Sequence, residues 1–388
     1  MSTDLVERVR LRLAGNGSRT DPATVAEAVR AEAGGPVGHA EVLQALRVLR
    51  QEFTGAGPLE PLLAEPGVTD VLVTAPDQVW VDGRDGLRRS GLRFSDEEAV
   101  RRLAQRLASA AGRRLDDAQP YVDGWLSDAG PQGRVRLHAV LPPLAADGTC
   151  ISLRVLRPAV HDLRALRRLD TFDDNGAELV EAVVAARLAF LVTGGTGAGK
   201  STLLSAMLGT VSATERIVAV EDVGELQPSH PQFVRLVTRP PNVEGAGEVT
   251  LRDLVRQALR MRPDRLVVGE ARGREVCELL NALNTGHDGG ACTLHANSPR
   301  EVPARLEALA ALGGLSRAAL HSQLAAAVQV VLHMRRSGQR RKLAEVGVLS
   351  RDDHGEARVM PVWEDGVWTK RRVVLSALLE QRGVTAPW

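Results

Sequence analysis

The sequence predicts an α/β protein with a mostly parallel sheet, preceded by a smaller α+β region. From about residue 176, compact apolar runs such as LAFLVTGG, RIVAVED and RLVVGEA alternate with helical stretches, a pattern typical of parallel sheets. Between about residues 53 and 157 the apolar period is instead two, which predicts short strands. The chain has 388 residues, 44% hydrophobic and 25% charged, which suits two or three globular domains.

The region before residue 158 divides into two parts. Residues 1–52 are rich in Ala, Arg, Glu and Leu at helical spacing, so we expect a helical N-terminal segment. Over 53–157, VTDVLVT, QVWVDG and LRRSGLRF predict strands joined by Pro-Asp and Asp-Gly turns. GRVRLHAVLPPLAADGTCISLRVLRP predicts further strands at the end of this range. Ser95 and Glu98 have the spacing of a capping box, which predicts a helix that ends at Gly112.

The rest of the chain is predicted to form a linker and a second domain. Pro158 and the charged HDLRALRRL favour a hinge over 158–175. The alternating pattern then predicts an α/β domain with a C-terminal extension over 176–388. In that extension we expect hairpins from about residue 344 and a last helix near SALLEQR.

The composition excludes several classes of protein. A net charge of +1 gives no basis for bulk electrostatic binding to nucleic acid or to an anionic membrane. Cys150, Cys277 and Cys292 are too scattered for a disulfide framework, so we expect reduced thiols. The N-terminus has no signal-peptide pattern, and no apolar run reaches the ~18 residues of a membrane span. We therefore expect a cytoplasmic protein.

The segment GGTGAGKST has the spacing G-x-x-x-x-G-K-[ST] of a phosphate-binding loop. An apolar strand precedes it and a helical stretch follows, which is the context that the motif requires. Glycines let backbone N–H groups surround phosphates, Lys200 can reach the β- and γ-phosphates, and the Ser201 hydroxyl can bind Mg²⁺. The predicted nucleotide-binding residues are Gly194, Gly195, Thr196, Gly197, Ala198, Gly199, Lys200, Ser201 and Thr202.

Acidic residues follow two of the predicted strands. RIVAVED ends in Glu221 and Asp222, with Glu225 nearby, and RLVVGE ends in Glu270. Because the carboxyl ends of parallel strands form the ligand-binding edge of such sheets, these acids are candidates to hold Mg²⁺ and to orient water. The alternative is that they are solvated strand ends or helix caps.

Several arginines are candidates for phosphate contacts. Arg154 and Arg157 end the first domain, where they could act as arginine fingers. Arg252, Arg256 and Arg260 recur every four residues on a predicted helix, either as a solvated face with salt bridges or as a basic row that faces nucleotide.

The segment NTGHDGGACTLHANS contains two histidines and a cysteine. His287 and His295 are eight residues apart, which is not a usual zinc spacing, and a Cys–His nucleophile pair would lack an orienting group. ACTLHAN is expected to form the next strand of the sheet, with Cys292 as a small buried side chain.

The order of these motifs resembles the secretion ATPase superfamily of type II and type IV machines. The segments are GGTGAGKST, VEDVGELQ, TRPPNVEGAGEVTLRDLVRQALRMRPDRLVVGEARG and TGHDGGACTLHANS. Over roughly residues 53–350 the chain is most similar to tight-adherence (Flp) pilus ATPases of the TadA/CpaF type, including conjugal-transfer-associated members. The resemblance implies a RecA-like P-loop NTPase domain preceded by a smaller, PAS-like α+β domain. It also implies ATP and Mg²⁺ as ligands.

The resemblance also implies roles for individual residues. Glu221 would be the catalytic glutamate that polarises water, and Glu270 would assist Mg²⁺ through its hydration shell. His287 and His295 would sense the nucleotide near the γ-phosphate. The arginines implied to contact phosphate are Arg154, Arg157, Arg235 and Arg239.

The resemblance implies partners as well: a homo-hexamer and integral membrane platform proteins at the inner face of the bacterial membrane. The C-x-x-C zinc loop of the type II secretion and type IVa pilus branches is absent from the sequence, so we expect no zinc. Three alternatives remain. They are an ATPase of a DNA-conjugation type IV system, a motor that binds DNA directly, and a scaffold that binds nucleotide without hydrolysis.

Overall fold

The computed structural model describes residues 27, 31–32, 55–83, 86–126, 135–155, 161–241, 245–338 and 340–388. The chain divides into two compact units, Met1–Arg157 and Pro158–Trp388. The helical segment predicted over residues 1–52 lies outside the described residues, except for three helical positions at 27, 31 and 32.

From residue 55 on, the described residues of the first unit form a six-stranded antiparallel sheet and the helices α1 and α2. Its strands are β1 Asp70–Ala75, β2 Gln78–Asp82, β3 Arg88–Arg89, β4 Tyr121–Leu126, β5 Val135–Val140 and β6 Cys150–Val155. Its helices are α1 Glu60–Ala64 and α2 Glu97–Ala110. The spatial order is β3-β2-β1-β6-β5-β4. The predicted strands and the Pro-Asp turn between β1 and β2 are confirmed, whereas β4 was not predicted.

Helix α2 covers the apolar face of this sheet. Val100, Leu103 and Leu107 are buried on it, at the spacing of one helical face. The predicted capping residue was wrong: Asp96, not Ser95, is the N-cap, and its Oδ1 accepts a 2.7 Å hydrogen bond from the Ala99 N–H. Ser and Asp are both favoured at N-caps, so the sequence alone could not show which of the two neighbouring residues caps the helix.

The second unit contains a nine-stranded mixed sheet. Its strands are β7 Phe190–Gly194, β8 Ile217–Glu221, β9 Phe233–Val237, β10 Arg265–Val268, β11 Ala291–Leu294, β12 Val330–Ser337, β13 Arg340–Arg351, β14 Ala357–Glu364 and β15 Val367–Trp368. The spatial order is β15-β14-β13-β12-β7-β11-β10-β8-β9. The strands from β12 to β9 are parallel, and β13, β14 and β15 extend the sheet in antiparallel fashion.

Helices cover both faces of this sheet, as expected for an α/β domain. They are α3 Leu163–Arg168, α4 Asp174–Ala185, α5 Lys200–Leu208, α6 Leu251–Ala258, α7 Glu275–Leu283, α8 Val302–Leu312, α9 Arg317–Ala327 and α10 Arg372–Gln381. Helix α3 lies inside the range predicted as a linker, and its Leu163 and Leu166 are buried in the core of the second unit. None of the helices in the described ranges is long and apolar enough to span a membrane.

The central strands β7, β8, β10 and β11 are buried along their whole lengths. Their carboxyl ends lie at one edge of the sheet because the strands are parallel. The sequence indicated these strands correctly, but it placed the first C-terminal hairpin too late. The hairpin begins with β12 at Val330, where the apolar run VVLHM passes directly into arginines.

Candidate functional site

The loop between β7 and α5 is shaped by glycines. Gly197 and Gly199 have φ values of 69° and 95°, in the region that favours glycine. Gly194 has a φ of 144°, and a Cβ there would lie 2.3 Å from the carbonyl oxygen of Met334. Residues 195–197 are exposed, so this loop presents its backbone to solvent directly before the N-terminus of α5.

Lys200 is the first residue of α5 and is only 8% exposed. Its Nζ donates hydrogen bonds to the carbonyl oxygens of Gly194 (3.0 Å) and Gly195 (3.1 Å). Burial lowers the pKa of Lys200, and the nearby Glu270 carboxylate partly offsets this effect. The ammonium group is therefore held inside the loop by the loop's own carbonyls.

Three acidic residues of the segment after β8 occupy different environments. Glu221 is 3% exposed, and its Oε1 accepts hydrogen bonds from the backbone N–H groups of Glu225 and Leu226, each 3.0 Å long. Burial raises the pKa of Glu221 to about 7. Among the described residues its Oε2 has no hydrogen-bond partner. Burial also raises the pKa of Asp222, against the lowering effect of Arg272.

Glu225 is exposed and contacts the first turn of α5, directly after the glycine-rich loop that follows β7. The Ser201 hydroxyl donates a 2.9 Å hydrogen bond to Glu225 Oε2. The sequence left open whether Glu225 has a functional or a structural role. In the structure its carboxylate contacts Ser201, the candidate Mg²⁺ ligand.

Glu270 follows β10 and connects the segment after that strand to the segment after β11. Its Oε2 accepts a 2.5 Å hydrogen bond from Arg272, and its Oε1 lies 2.7 Å from Nε2 of His295. His295 in turn lies 3.3 Å through Nδ1 from Nζ of Lys200. Burial and the Lys200 charge lower the pKa of His295, so the imidazole is neutral at neutral pH. Lys200, Glu270 and His295 thus form one contiguous cluster.

Two residues that the sequence reasoning missed hold this cluster in place. Glu275, 6% exposed, accepts hydrogen bonds through Oε1 from the backbone N–H groups of Arg272 (2.6 Å) and Gly273 (2.7 Å). Thr293 Oγ1 donates to the Gly269 carbonyl at 2.6 Å. Glu275 lies in the first turn of α7, where the helix dipole favours acids, and that position could have drawn attention to it.

The two histidines are not brought together. His287 precedes β11, where its Nδ1 lies 3.1 Å from the Ala282 carbonyl oxygen, whereas His295 follows the strand. A four-residue strand is about 13 Å long. His287 therefore lies at the opposite edge of the sheet from the cluster, contrary to expectation. Cys292, between them, is buried at 1% exposure, as predicted.

The candidate arginines have backbone or carboxylate partners. Arg235 donates to the carbonyls of Gly224 (3.2 Å) and Leu226 (3.0 Å), and Arg239 donates to Gly247 at 2.8 Å. Both therefore bind the backbone of loops beside β8 and β9.

The remaining arginine predictions have different outcomes. In the first unit Arg154 pairs with Asp70 at 2.8 Å, while Arg157 lies outside the described residues. Arg252 and Arg256 both pair with Glu278, which favours the salt-bridge interpretation of that row.

Comparison with known proteins identifies the family. A family model described as type II/IV secretion system protein matches residues 52–357. The chain belongs to the type II/IV secretion system protein family. The resemblance to the type II and type IV secretion superfamily, inferred from the loop, the acidic strand ends and the His-containing segment, is thereby confirmed.

Two curated relatives of this secretion family cover most of the chain. A putative conjugal transfer protein of Mycobacterium tuberculosis is 68% identical over 329 residues, which are 84% of this chain and 93% of the relative. The type IV secretion system protein PtlH of Bordetella pertussis is 30% identical over 323 residues, covering 76% of this chain and 93% of the relative.

A solved structure supports the fold of the secretion family. The X-ray structure of the Legionella pneumophila ATPase DotB matches with a TM-score of 0.53 at 19% identity, over 80% of this chain and 92% of that chain. The second unit accordingly has the RecA-like α/β fold that the resemblance implied.

Proposed function

We propose that the protein is an Mg²⁺-dependent ATPase that powers a secretion or pilus machine. The observation that carries the proposal is the cluster at one sheet edge. There the glycine loop, the buried Lys200 and the acids of β8 and β10 converge. This is the combination that hydrolysis of a nucleoside triphosphate requires.

The loop residues fit a polyphosphate. Residues 195–197 are exposed, and the N–H groups at the start of α5 carry the positive end of its helix dipole. Lys200 already donates to two carbonyls of the loop, so its Nζ can exchange these bonds for phosphate oxygens with little movement. Residues 194–202 are thus proposed to hold the nucleotide.

The residues around Ser201 fit Mg²⁺, which prefers oxygen ligands and keeps several waters. The Ser201 hydroxyl is the proposed direct ligand, and Glu270 is proposed to accept hydrogen bonds from metal-bound water. Bound Mg²⁺ would neutralise charge on the phosphates. Glu225 adds a carboxylate within hydrogen-bond distance of Ser201.

Glu221 is proposed to orient the attacking water. Its Oε1 accepts hydrogen bonds from two backbone N–H groups, while its Oε2 has no hydrogen-bond partner in the described part of the chain. A buried oxygen without a partner is suited to hold a water molecule. A pKa of about 7 also suits a group that accepts a proton near neutral pH.

Other residue roles remain predictions. His295 contacts both Lys200 and Glu270, so we propose that it relays the state of the nucleotide. The resemblance implied the same role for His287, but its position at the opposite edge of the sheet does not support that role. The phosphate contacts expected of Arg154, Arg157, Arg235 and Arg239 likewise rest on the resemblance.

The proposed machine is a tight-adherence type pilus or a related secretion system. We propose a homo-hexamer at the cytoplasmic face of the bacterial membrane that acts on integral platform proteins. The second candidate is the ATPase of a DNA-conjugation type IV system, which the name of the Mycobacterium tuberculosis relative favours. Prepilin and platform genes beside this one would support the pilus, and relaxase and channel genes would support conjugation.

ATP hydrolysis by the purified full chain tests the enzymatic proposal. We expect phosphate release that requires Mg²⁺ and is lost in Lys200→Ala and Glu270→Ala. Activity that persists in both variants, or that is absent from the wild-type oligomer, would overturn it. The solution mass with and without a non-hydrolysable ATP analogue tests the hexamer.

A further inference from the structure

The hairpin formed by β12 and β13 lies directly beside the glycine-rich loop between β7 and α5. Strand β12 pairs in parallel with β7 up to the pair Met334 and Gly194, where the loop begins. The following residues of β12 therefore continue past the sheet edge alongside the loop. In the order of strands, this hairpin flanks β7 on one side, while β8 and β10 with their acids lie on the other.

One face of the hairpin turns toward the loop. Met334 and Leu343 are paired across the hairpin and are buried in the same core as Ala198. Because side chains alternate along a strand, the next residues on that face are Arg336 and Arg341, which are also a cross-strand pair.

The two arginine side chains lie beside the glycines of the loop. Arg341 Nε donates a 2.9 Å hydrogen bond to the Gly197 carbonyl, and Arg341 Cδ lies 3.1 Å from where a Cβ of Gly199 would be. Arg336 Nη1 lies 3.3 Å from the corresponding position at Gly197. A side chain at either glycine would therefore press on an arginine.

The charges of this pair are not balanced by acids. Like charges directly across two strands are unfavourable. Within the described ranges neither Arg336 nor Arg341 has a carboxylate within salt-bridge distance, whereas Arg335 on the other face pairs with Asp365. The hydrogen bonds of the pair go to the carbonyls of Gly338 and Gly197.

We propose that Arg336 and Arg341 form an arginine pair, supplied by the same subunit, that binds the polyphosphate of the nucleotide. The inference rests on the proposed ATPase function and adds a cationic contact on the side of the loop away from the acids. Guanidinium groups bind phosphate through charge-assisted, often bidentate hydrogen bonds, which would offset the repulsion within the pair.

Arg341 also fixes one peptide of the loop. In a trans peptide the carbonyl and the next N–H point in opposite directions. The bond from Arg341 to the Gly197 carbonyl therefore directs the Ala198 N–H away from the hairpin, toward the Gly195 oxygen at 3.3 Å. Arg341 and the Ala198 N–H therefore hold the two sides of this peptide in place within the loop.

Equilibrium binding of ATP and of inorganic tripolyphosphate to the full chain tests the pair. We expect Arg336→Gln with Arg341→Gln to weaken both ligands by about tenfold or more, as loss of charge-assisted hydrogen bonds implies. The affinity of the double variant should also fall less steeply with salt than that of the wild type. Arg340→Gln is the matched control, because Arg340 lies on the opposite face of the hairpin.

The outcomes separate this inference from the proposed function. If the double variant binds within twofold of the wild type while Lys200→Ala loses binding, the arginine pair is wrong and the nucleotide site stands. If Arg340→Gln loses as much affinity as the double variant, the effect comes from the overall positive charge of the hairpin, and the proposed arginine pair is also wrong. If Lys200→Ala binds ATP normally, the proposed nucleotide site itself is wrong.

A measurement on the wild-type chain covers the case in which the double variant does not fold. Phenylglyoxal modifies exposed arginines, and Arg336 and Arg340 are both exposed. Tripolyphosphate should slow modification of Arg336 severalfold, measured by peptide mass spectrometry, and leave Arg340 unchanged. Equal rates at Arg336 with and without the anion would contradict the proposal.

Discussion

The Ser201 hydroxyl donates a 2.9 Å hydrogen bond to the carboxylate of Glu225, so a proposed Mg²⁺ ligand is held by an exposed acid four residues after Glu221. This contact links the first turn of α5 to the turn after β8. It places the Glu225 carboxylate beside the proposed metal site, which its position in the sequence did not establish.

Glu225→Gln should raise the Mg²⁺ concentration needed for half-maximal ATP hydrolysis by about three- to tenfold. The reason is that removal of a negative charge beside a bound cation weakens the attraction between them, while the amide oxygen can still accept from Ser201. The measurement is a titration of activity with Mg²⁺ at saturating ATP. Glu248→Gln, at another exposed acid, is the control. An unchanged Mg²⁺ requirement in Glu225→Gln would show that this carboxylate does not act on the metal.

Glu221→Gln should change how stability depends on pH. The folded-state pKa of Glu221 is about 7, above its ordinary value of 4.5, so the folded protein binds this proton more tightly than the unfolded chain does. Between those two values a rise in pH therefore lowers the free energy of unfolding, by up to about 3 kcal/mol in total. Glutamine does not titrate, so the variant should lack this decrease.

Urea unfolding of the nucleotide-free protein at pH 5 and pH 8 measures the effect of Glu221. The wild type should lose more stability across that interval than Glu221→Gln does. ATP hydrolysis by the wild type should increase as the pH rises through about 7, since the carboxylate forms in that range. Parallel stability profiles for the two proteins would rule out the raised pKa.

The fold was largely predictable because its central strands carry unusually plain signals. Strands β7, β8 and β10 are buried on both faces and read as continuous apolar runs that end at glycine or acid. Strand β4 was missed because Asp123 and Gly124 interrupt its apolar residues. Strand β9 was missed because none of its residues is buried and Arg235 interrupts it. Placing the start of the C-terminal hairpin at Val330 would have required knowledge of the pairing between β12 and β7.

The site was predictable where one motif carries all its parts, and not where the fold joins separate segments. The sequence indicated that Lys200, Glu221 and Glu270 lie at one edge of the sheet, because all three belong to segments at the carboxyl ends of parallel strands. Their roles stay predictions. The contact between Glu225 and Ser201 depends on how the turn after β8 packs against α5, and no local pattern encodes it. His287 was misplaced because it is close to His295 in sequence but separated from it by the length of β11.

Gly194→Ala should destabilise the protein strongly, whereas Gly195→Ala should not. Gly194 has a φ of 144°, and a Cβ there would lie 2.3 Å from the Met334 carbonyl oxygen of the neighbouring strand. The combined backbone strain and overlap should cost about 3 kcal/mol or more. Gly195 has open space at its Cβ position, so it is the adjacent control. Equal unfolding midpoints in urea for the two variants would contradict this account of the loop.

Glu275→Ala should lower both stability and turnover. Its carboxylate accepts from the backbone N–H groups of Arg272 and Gly273, so it fixes the turn that carries Glu270. Loss of these two hydrogen bonds, which leaves partly buried N–H groups without an acceptor, should cost about 1–2 kcal/mol. Because Glu270 would then be held less rigidly against His295, kcat should fall by about tenfold with little change in KM.

Glu275→Gln separates the positioning role of Glu275 from a loss of charge. The amide keeps an acceptor oxygen for the two N–H groups, so most of the stability and kcat should return. Urea unfolding and steady-state ATP hydrolysis at saturating Mg²⁺ give the two measurements. If Glu275→Ala loses stability but keeps the wild-type kcat, the turn does not position Glu270 for the reaction. If Glu275→Gln is as impaired as Glu275→Ala, the negative charge, rather than the hydrogen bonds, supports the site.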